Sequence, residues 1–242
     1  MAAMQILAMC PLLPVDAFRH IAGFRSIGGA YRRLEKLRRA GLAEMERGEL
    51  GYLLADRPLG LWSITEQGRR LCDEVSCVDR RVSDRRGPGT RLRGEPNLTT
   101  RVAAYRMLAF FIAECNADGR KVELRTWEQP WVRTVCGPEQ RKPLRVQLLA
   151  GAVLAGGELG GECAAPAGGR VCIVLVPDLG AAPVTRHREM LRLLLAYWEI
   201  SRDADLHLLV ATIDPDEDGA RCTVWMSLLD KLARTHGAPA VS

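Results

Sequence analysis

Between residues 27 and 37 apolar side chains recur every three to four positions, at Ile27, Ala30, Tyr31, Leu34 and Leu37, with charged residues between them. The spacing predicts an amphipathic helix that buries these five positions in one stripe. Ser26 stands before it as an N-cap, its hydroxyl able to accept a bond from an orphan N–H of the first turn. Gly41 ends the helix and Leu42 tucks back behind it. At about 100° per residue, Gly29, Arg32, Arg33, Lys36 and Arg39 fall on the side away from the stripe. Upstream, "MQILAMC" and "VDAFRHIAGF" predict two short helices, with Pro14 suited to the start of the second and Gly23 preceding the turn into Ser26. Downstream, "GYLLADRPLGLWSIT" predicts two short strands around a turn containing Pro58 and Gly60. Thr65 then caps another helix, "EQGRRLCDEV".

Residues 79–101 show no hydrophobic period and carry seven Arg against Asp79, Asp84 and Glu95, together with Gly, Pro and Ser. That composition predicts an exposed basic linker. Beyond it "TRVAAYRMLAFFIAEC" predicts a helix, and "KVELRTW" and "PLRVQLLAGAVLAG" predict strands separated by a loop bearing Pro138 and Pro143. The Gly-rich "GGELGGECAAPAGG" is expected to be a hairpin loop leading into a buried strand, "RVCIVLVP". A helix, "VTRHREMLRLLLAYWEI", follows, with Met190, Leu191, Leu194, Leu195 and Trp198 on one face. A strand, "DLHLLVATID", and a helix, "TVWMSLLDKLAR", complete the order. The expected organisation is an α+β chain with one domain at 1–78, a linker at 79–101 and an α/β domain at 102–242.

Composition adds a direction. The chain has 242 residues, 48% of them hydrophobic, enough for a substantial core in one or two domains. Residues 1–101 hold 18 basic and 12 acidic side chains, whereas residues 102–242 hold 16 and 17. The net charge of +5 therefore comes entirely from the first part, where a polyanion would bind. Arg supplies most of it, a bias that a GC-rich genome explains as readily as phosphate recognition does. The eight cysteines form no C-x-x-C pair, and most lie in apolar runs such as "FFIAEC" and "RVCIVLV". Buried free thiols in a reducing cytoplasm are expected, since zinc would need tighter Cys/His spacing. The opening "MAAMQILAMCPLL" has no positive residue before its apolar run, and Pro11 and Pro14 interrupt it, unlike a signal peptide. No apolar run reaches the roughly 18 residues that span a bilayer, so a cytoplasmic protein without a membrane partner is expected.

Helix, helix, basic helix, hairpin, helix is the element order of a winged helix-turn-helix, and "YRRLEKLRRAGLAEM…LWSITEQGRRL" resembles that family. The shared hallmarks are Leu34-x-x-Leu37-x-x-x-Gly41-Leu42 and Thr65-x-x-Gly68, and the resemblance covers about residues 4–76. It implies that the basic helix enters the major groove of double-stranded DNA with the exposed residues of its N-terminal half at the base edges. Ser26, Gly28 and Gly29 would keep the helix start capped and thin. Arg32, Arg33, Lys36 and Arg39 would meet bases or phosphates, Arg being suited to guanine O6/N7. Arg57 sits at the expected wing tip, where a phosphate or minor-groove contact is implied. The whole layout resembles the replication-relaxation family of bacterial plasmids and mobile elements, which pairs a winged helix with a C-terminal domain carrying a stretch like "VLVPDLGAAPVTRHREMLRLLLAYW". That stretch keeps Asp178 and Gly180 of the family pattern but lacks its Glu and its Lys. The resemblance implies DNA binding in replication, mobilisation or regulation of such an element.

The second half also resembles the αβββαβ core of restriction-endonuclease-like folds, which requires a right-handed crossover between its last strands. Nucleases of that fold hold a divalent metal through an Asp in the second strand and a (D/E)-x-K triplet in the third. Here the second strand has no carboxylate, and Asp178 has no Lys two residues on. His20, His187, His207 and His236 are scattered, "GGELGG" lacks the Lys-Ser/Thr of a phosphate loop, and no Gly-x-Ser-x-Gly occurs. A non-catalytic protein without metal or cofactor is expected, its C-terminal part serving a homodimer or a protein partner. The alternative is a metal-dependent nuclease or nicking accessory using Asp178 with Glu114 or Glu128.

Overall fold

The cap, stop and apolar signals around Ser26, Gly41 and Thr65 do organise the N-terminal part of the chain. A computed structural model describes residues 2–48, 59–75, 98–119, 122–136, 143–148, 150–156, 170–180, 187–201, 206–212 and 220–236. The architecture is mixed α and β, in two compact units: Met1–Trp127 with Ala152–Arg170, and Glu128–Gly151 with Val171–Ser242. Among the described residues no helix is long and apolar enough to cross a membrane.

The first unit opens with α1 (Ala2–Met9), β1 (Leu13–Pro14), α2 (Val15–Ile21) and α3 (Ile27–Arg39). It continues through β2 (Ala43–Gly48), β3 (Leu59–Ile64) and α4 (Glu66–Val75). The three strands form an antiparallel sheet in the order β1-β3-β2. Pro14 is tolerated because β1 is an edge strand and its missing N–H leaves no ladder bond unmade. The helices and this sheet enclose Leu7, Leu13, Phe18, Ala30, Leu34, Leu37, Leu61 and Trp62, all buried.

The hairpin differs from the expected one. Its first described strand starts at Ala43, soon after the helix, and "GYLLAD" lies outside the described residues; Gly60 pairs with Arg47 inside β3 and does not turn the chain. Gly41, at φ 72°, reverses the backbone, and Leu42 N–H bonds the Leu37 carbonyl, so the chain leaves α3 already extended. The alternation Ala43, Glu44, Met45, Glu46 carried the period-two signal for this strand. Pro58 and Arg57 lie outside the described residues.

Helix α5 (Leu98–Ala117) was expected to open a separate domain at residue 102, but it belongs to the first unit. It is buried nearly all round, with Val102, Tyr105, Leu108 and Ile112 among its inward positions. Val102 joins Leu12 and Leu61 in one cluster. Tyr105 donates to the Pro11 carbonyl at 2.8 Å, and Arg106 Nε donates to Asp16 Oδ2 of α2 at 2.9 Å. The last residues of the expected linker, Leu98–Arg101, are the first turn of α5, and Arg101 is buried. The remainder, to residue 97, lies outside the described residues. Strand β4 (Val122–Glu128) follows, and Tyr105 stacks on its Trp127 at 4.8 Å between ring centroids.

The second unit contains β5 (Trp131–Val135) and β6 (Leu144–Leu148), an antiparallel pair running from Trp131↔Leu148 to Val135↔Leu144. The apolar run read as one strand is therefore two, β6 and β7 (Ala150–Gly156), and "WVRTV", which falls in the expected loop bearing Pro138 and Pro143, is the partner of the first. Then come β8 (Arg170–Asp178), α6 (Arg188–Ser201), β9 (Leu206–Thr212) and α7 (Ala220–His236). Strands β8 and β9 are parallel, as a helical crossover between them requires. Between α5 and α6 the described residues thus hold five strands where the nuclease-like order has three. Trp131, Val146, Val174, Leu194 and Tyr197 form one core cluster, and Val176, Leu191, Trp225 and Leu228 another. On α6 the buried positions are Leu191, Leu194 and Tyr197, so the inward face is centred one step away from the expected Leu195 and Trp198. A Cβ at Gly151 would fall 2.2 Å from Trp131 Cδ1, which makes this glycine the seat of the indole.

Candidate nucleic-acid interface

Two contacts hold α3. At its start Ser26, in extended backbone, accepts from Gly29 N–H at 3.1 Å through its hydroxyl. At its end the two sequence hallmarks meet each other. Thr65 Oγ1 donates to the Gly41 carbonyl at 2.6 Å and accepts from Gly68 N–H at 3.1 Å. Thr65 N–H also donates to the Leu42 carbonyl at 3.1 Å. Gly68 is required by the same closeness, because a Cβ there would lie 2.3 Å from the Leu42 oxygen. Gly-Leu at the helix end and Thr-x-x-Gly after the sheet are two halves of one joint, which fixes α3 against β3 and α4.

The buried stripe of α3 is narrower than its apolar spacing. Ala30, Leu34 and Leu37 are buried, but Ile27 is 51% and Tyr31 47% exposed. A helical period names a face without stating how far neighbours such as α2 and β2 cover it. Tyr31 and Trp62 of β3 meet edge to face, with ring centroids 5.8 Å apart and planes at 85°. At about 100° per residue, Gly28, Arg32, Lys36 and Arg39 line the side opposite the buried stripe. Arg33 lies on one flank, and Ile27 and Tyr31 lie on the other.

All four of the predicted basic residues on α3, Arg32, Arg33, Lys36 and Arg39, are exposed. Arg32 Nε donates to the Gly28 carbonyl at 3.3 Å, which lays its stem along the helix. Arg33 and Lys36 have no acidic partner among the described residues. Arg38 binds Glu35 through two donors, at 2.9 and 2.7 Å, and Arg39 Nε stands 3.6 Å from the same carboxylate. The hydrogen bond from Arg38 holds the Glu35 carboxyl below the usual range. Glu35 thus tempers the C-terminal end of the face and leaves Arg32, Arg33 and Lys36 as its strongest cationic stretch. A Cβ at Gly28 would meet nothing within 4 Å, so this surface is open; one at Gly29 would press on Ser26 Oγ at 3.2 Å, so Gly29 serves the cap. Arg57 lies outside the described residues.

In the second unit Asp178, at the end of β8, has its carboxylate taken up. Arg221 donates to both oxygens, at 2.7 and 2.6 Å, Trp225 Nε1 donates at 2.6 Å, and Gly180 N–H at 3.2 Å. Burial raises its pKa, but the bonds from Arg221, Trp225 and Gly180 outweigh this and hold the carboxyl below the usual carboxylate range. Sequence reading missed Arg221 and the indole, because nothing local ties them to a residue more than forty positions away. Glu128, the other carboxylate of the metal alternative in this unit, pairs with Arg133, which also lies over the Trp131 ring at 4.7 Å. Glu114 is exposed on α5. Among the described residues no three His, Cys, Asp or Glu side chains converge as a metal site would need. The thiols of Cys10, Cys72 and Cys115 are buried, and burial pushes that of Cys10 up, whereas Cys136 and Cys222 are exposed, against expectation. No family model, curated protein or solved structure matches the chain.

Proposed function

We propose that the protein binds double-stranded DNA as a winged helix, with α3 as the helix that enters the major groove, in the replication, mobilisation or regulation of a mobile element. One observation carries this reading: a firmly seated helix presents Arg32, Arg33 and Lys36 to solvent, and among the described residues no acid neutralises Arg33 or Lys36. A merely solvated face usually alternates signs or pairs its charges. Here the only acid on α3, Glu35, is engaged by Arg38. The element order α1, β1, α2, α3, β2, β3 and the joint between Gly41 and Thr65 support it further, since each anchors α3 as one rigid rod.

The second unit is proposed as a non-catalytic region that pairs two copies or docks a protein. The bonding of Asp178 to Arg221 and Trp225 supports a structural duty for that residue. The full chain incubated with random duplex DNA is expected to select a preferred sequence. On that sequence Arg32→Ala or Arg33→Ala is expected to cost about 1–3 kcal/mol and to relax base choice. Equal weakening on selected and random DNA would reduce these residues to phosphate contacts, and no weakening on either would remove α3 from the interface.

A further inference from the structure

Ile27 and Tyr31 expose apolar surface at the start of α3. Ile27 is the first residue of α3 and is half exposed, although its neighbours Ala30 and Leu34 are fully covered. Tyr31, one turn on, packs edge to face with Trp62 and is about half exposed. The two stand four residues apart, so they share one flank of the helix. Between this flank and the cationic stretch lies Gly28, whose missing side chain leaves nothing within 4 Å. A short apolar step therefore borders a guanidinium row, with an open notch between them.

Water gains nothing from such a step. A duplex major groove offers both properties at once: phosphates and guanine acceptors for Arg32 and Arg33, and the thymine C5-methyl as its one apolar group. Resting on the DNA-binding role proposed above, we propose that Ile27, steadied by the Tyr31 ring beside it, reads a thymine methyl next to the base contacted by Arg32. The specificity of the site is then partly apolar. Arg32 selects by hydrogen bonds, and Ile27 selects by burying one methyl group that uracil and unmodified cytosine lack.

The test starts from the duplex that the full chain selects out of a random pool. Each thymine is replaced in turn by deoxyuridine, which removes the methyl and keeps every hydrogen-bonding group. Fluorescence anisotropy then gives the affinity of the wild type, Ile27→Ala and Ile27→Val. Replacement of one thymine is expected to weaken the wild type about three- to fivefold, as the burial of a single methyl implies. Ile27→Ala is expected to bind the thymine duplex about as weakly as the wild type binds the uracil one, and to ignore the replacement. Ile27→Val is expected to retain part of the sensitivity. An unchanged thermal melt of Ile27→Ala separates this result from loss of fold. A selected duplex that tolerates deoxyuridine everywhere, one without thymine, or an Ile27→Ala that still senses the methyl overturns the methyl contact and leaves DNA binding standing. Failure to select any duplex overturns both.

Discussion

Removing the charge of Asp178 leaves Arg221, whose side chain is only 16% exposed, without the carboxylate that neutralises it. Breaking one partner of a buried ion pair is far worse than never having the pair, at up to about 3–5 kcal/mol. Asp178→Asn keeps the size and part of the bonding, so its cost is expected at the lower end of that range, with Asp178→Ala higher. The pair also sets a pH dependence. Its folded pKa lies below the unfolded value, so the unfolded chain binds more protons between the two and stability rises with pH there. The contribution is complete above the unfolded carboxylate value of about 4 and is lost as pH falls through the folded value beneath it. Urea midpoints measured across the acid range are expected to fall in the wild type with a component that Asp178→Asn lacks. Parallel curves for the two proteins would show that the ion pair is not the acid-sensitive element.

At the scale of elements, the seat of α3 depends on backbone approach more than on side chains. A methyl at Gly68 would meet the Leu42 oxygen at 2.3 Å and Ile64 Cγ1 at 2.8 Å, so either α4 or the end of α3 must move. Gly68→Ala is expected to cost about 2–3 kcal/mol, in the range of overpacked cores. Thr65→Ala, which removes the cap of α4 and the bond to the Gly41 carbonyl, is expected to cost about 1–2 kcal/mol. Gly28→Ala is the opposite case: its Cβ meets nothing, and alanine favours the helix by about 1 kcal/mol. It is expected to raise stability while weakening DNA binding, because the notch beside Arg32 fills. Chemical denaturation and anisotropy on the same three variants measure both effects. A Gly28→Ala that is stabilised and binds DNA unchanged would refute the close approach.

For the whole molecule the proposed pairing of two copies requires a test on the intact chain. A cut at residue 102 divides α5 and separates it from Pro11 and from Asp16 of α2, where Tyr105 and Arg106 are anchored. On α7 the apolar residues divide between two duties: Trp225 and Leu228 are buried within the second unit, while Val224 and Met226 are 48% and 41% exposed. The two exposed residues stand about 200° apart on the helix, one on each flank of the buried Trp225, and one of these flanks is proposed to meet a second copy. Sedimentation of the full chain is expected to give a dimer that Val224→Glu with Met226→Glu dissociates. The selected duplex is then expected to contain two half-sites about one helical turn apart. A monomeric wild type bound to an asymmetric site would exclude the pairing.

Features set within four or five residues were legible without a structure. Ser26 caps, Gly41 stops, Thr65 caps again, and Leu34 and Leu37 face inward, because each depends on hydrogen bonds and spacing inside one turn of chain. The exposed Arg32, Arg33, Lys36 and Arg39 followed from the same periodicity. Only the folded chain decided how wide the buried stripe of α3 is, since that depends on what α2 and β2 cover. It likewise decided that α5 packs on residues about ninety positions earlier, and that "WVRTV" pairs with half of a longer apolar run. Asp178 shows the division most plainly. Its position after an apolar strand was readable, but its role was not, because the side chains that neutralise it, Arg221 and Trp225, stand 43 and 47 residues further along and meet it only where β8 and α7 come together.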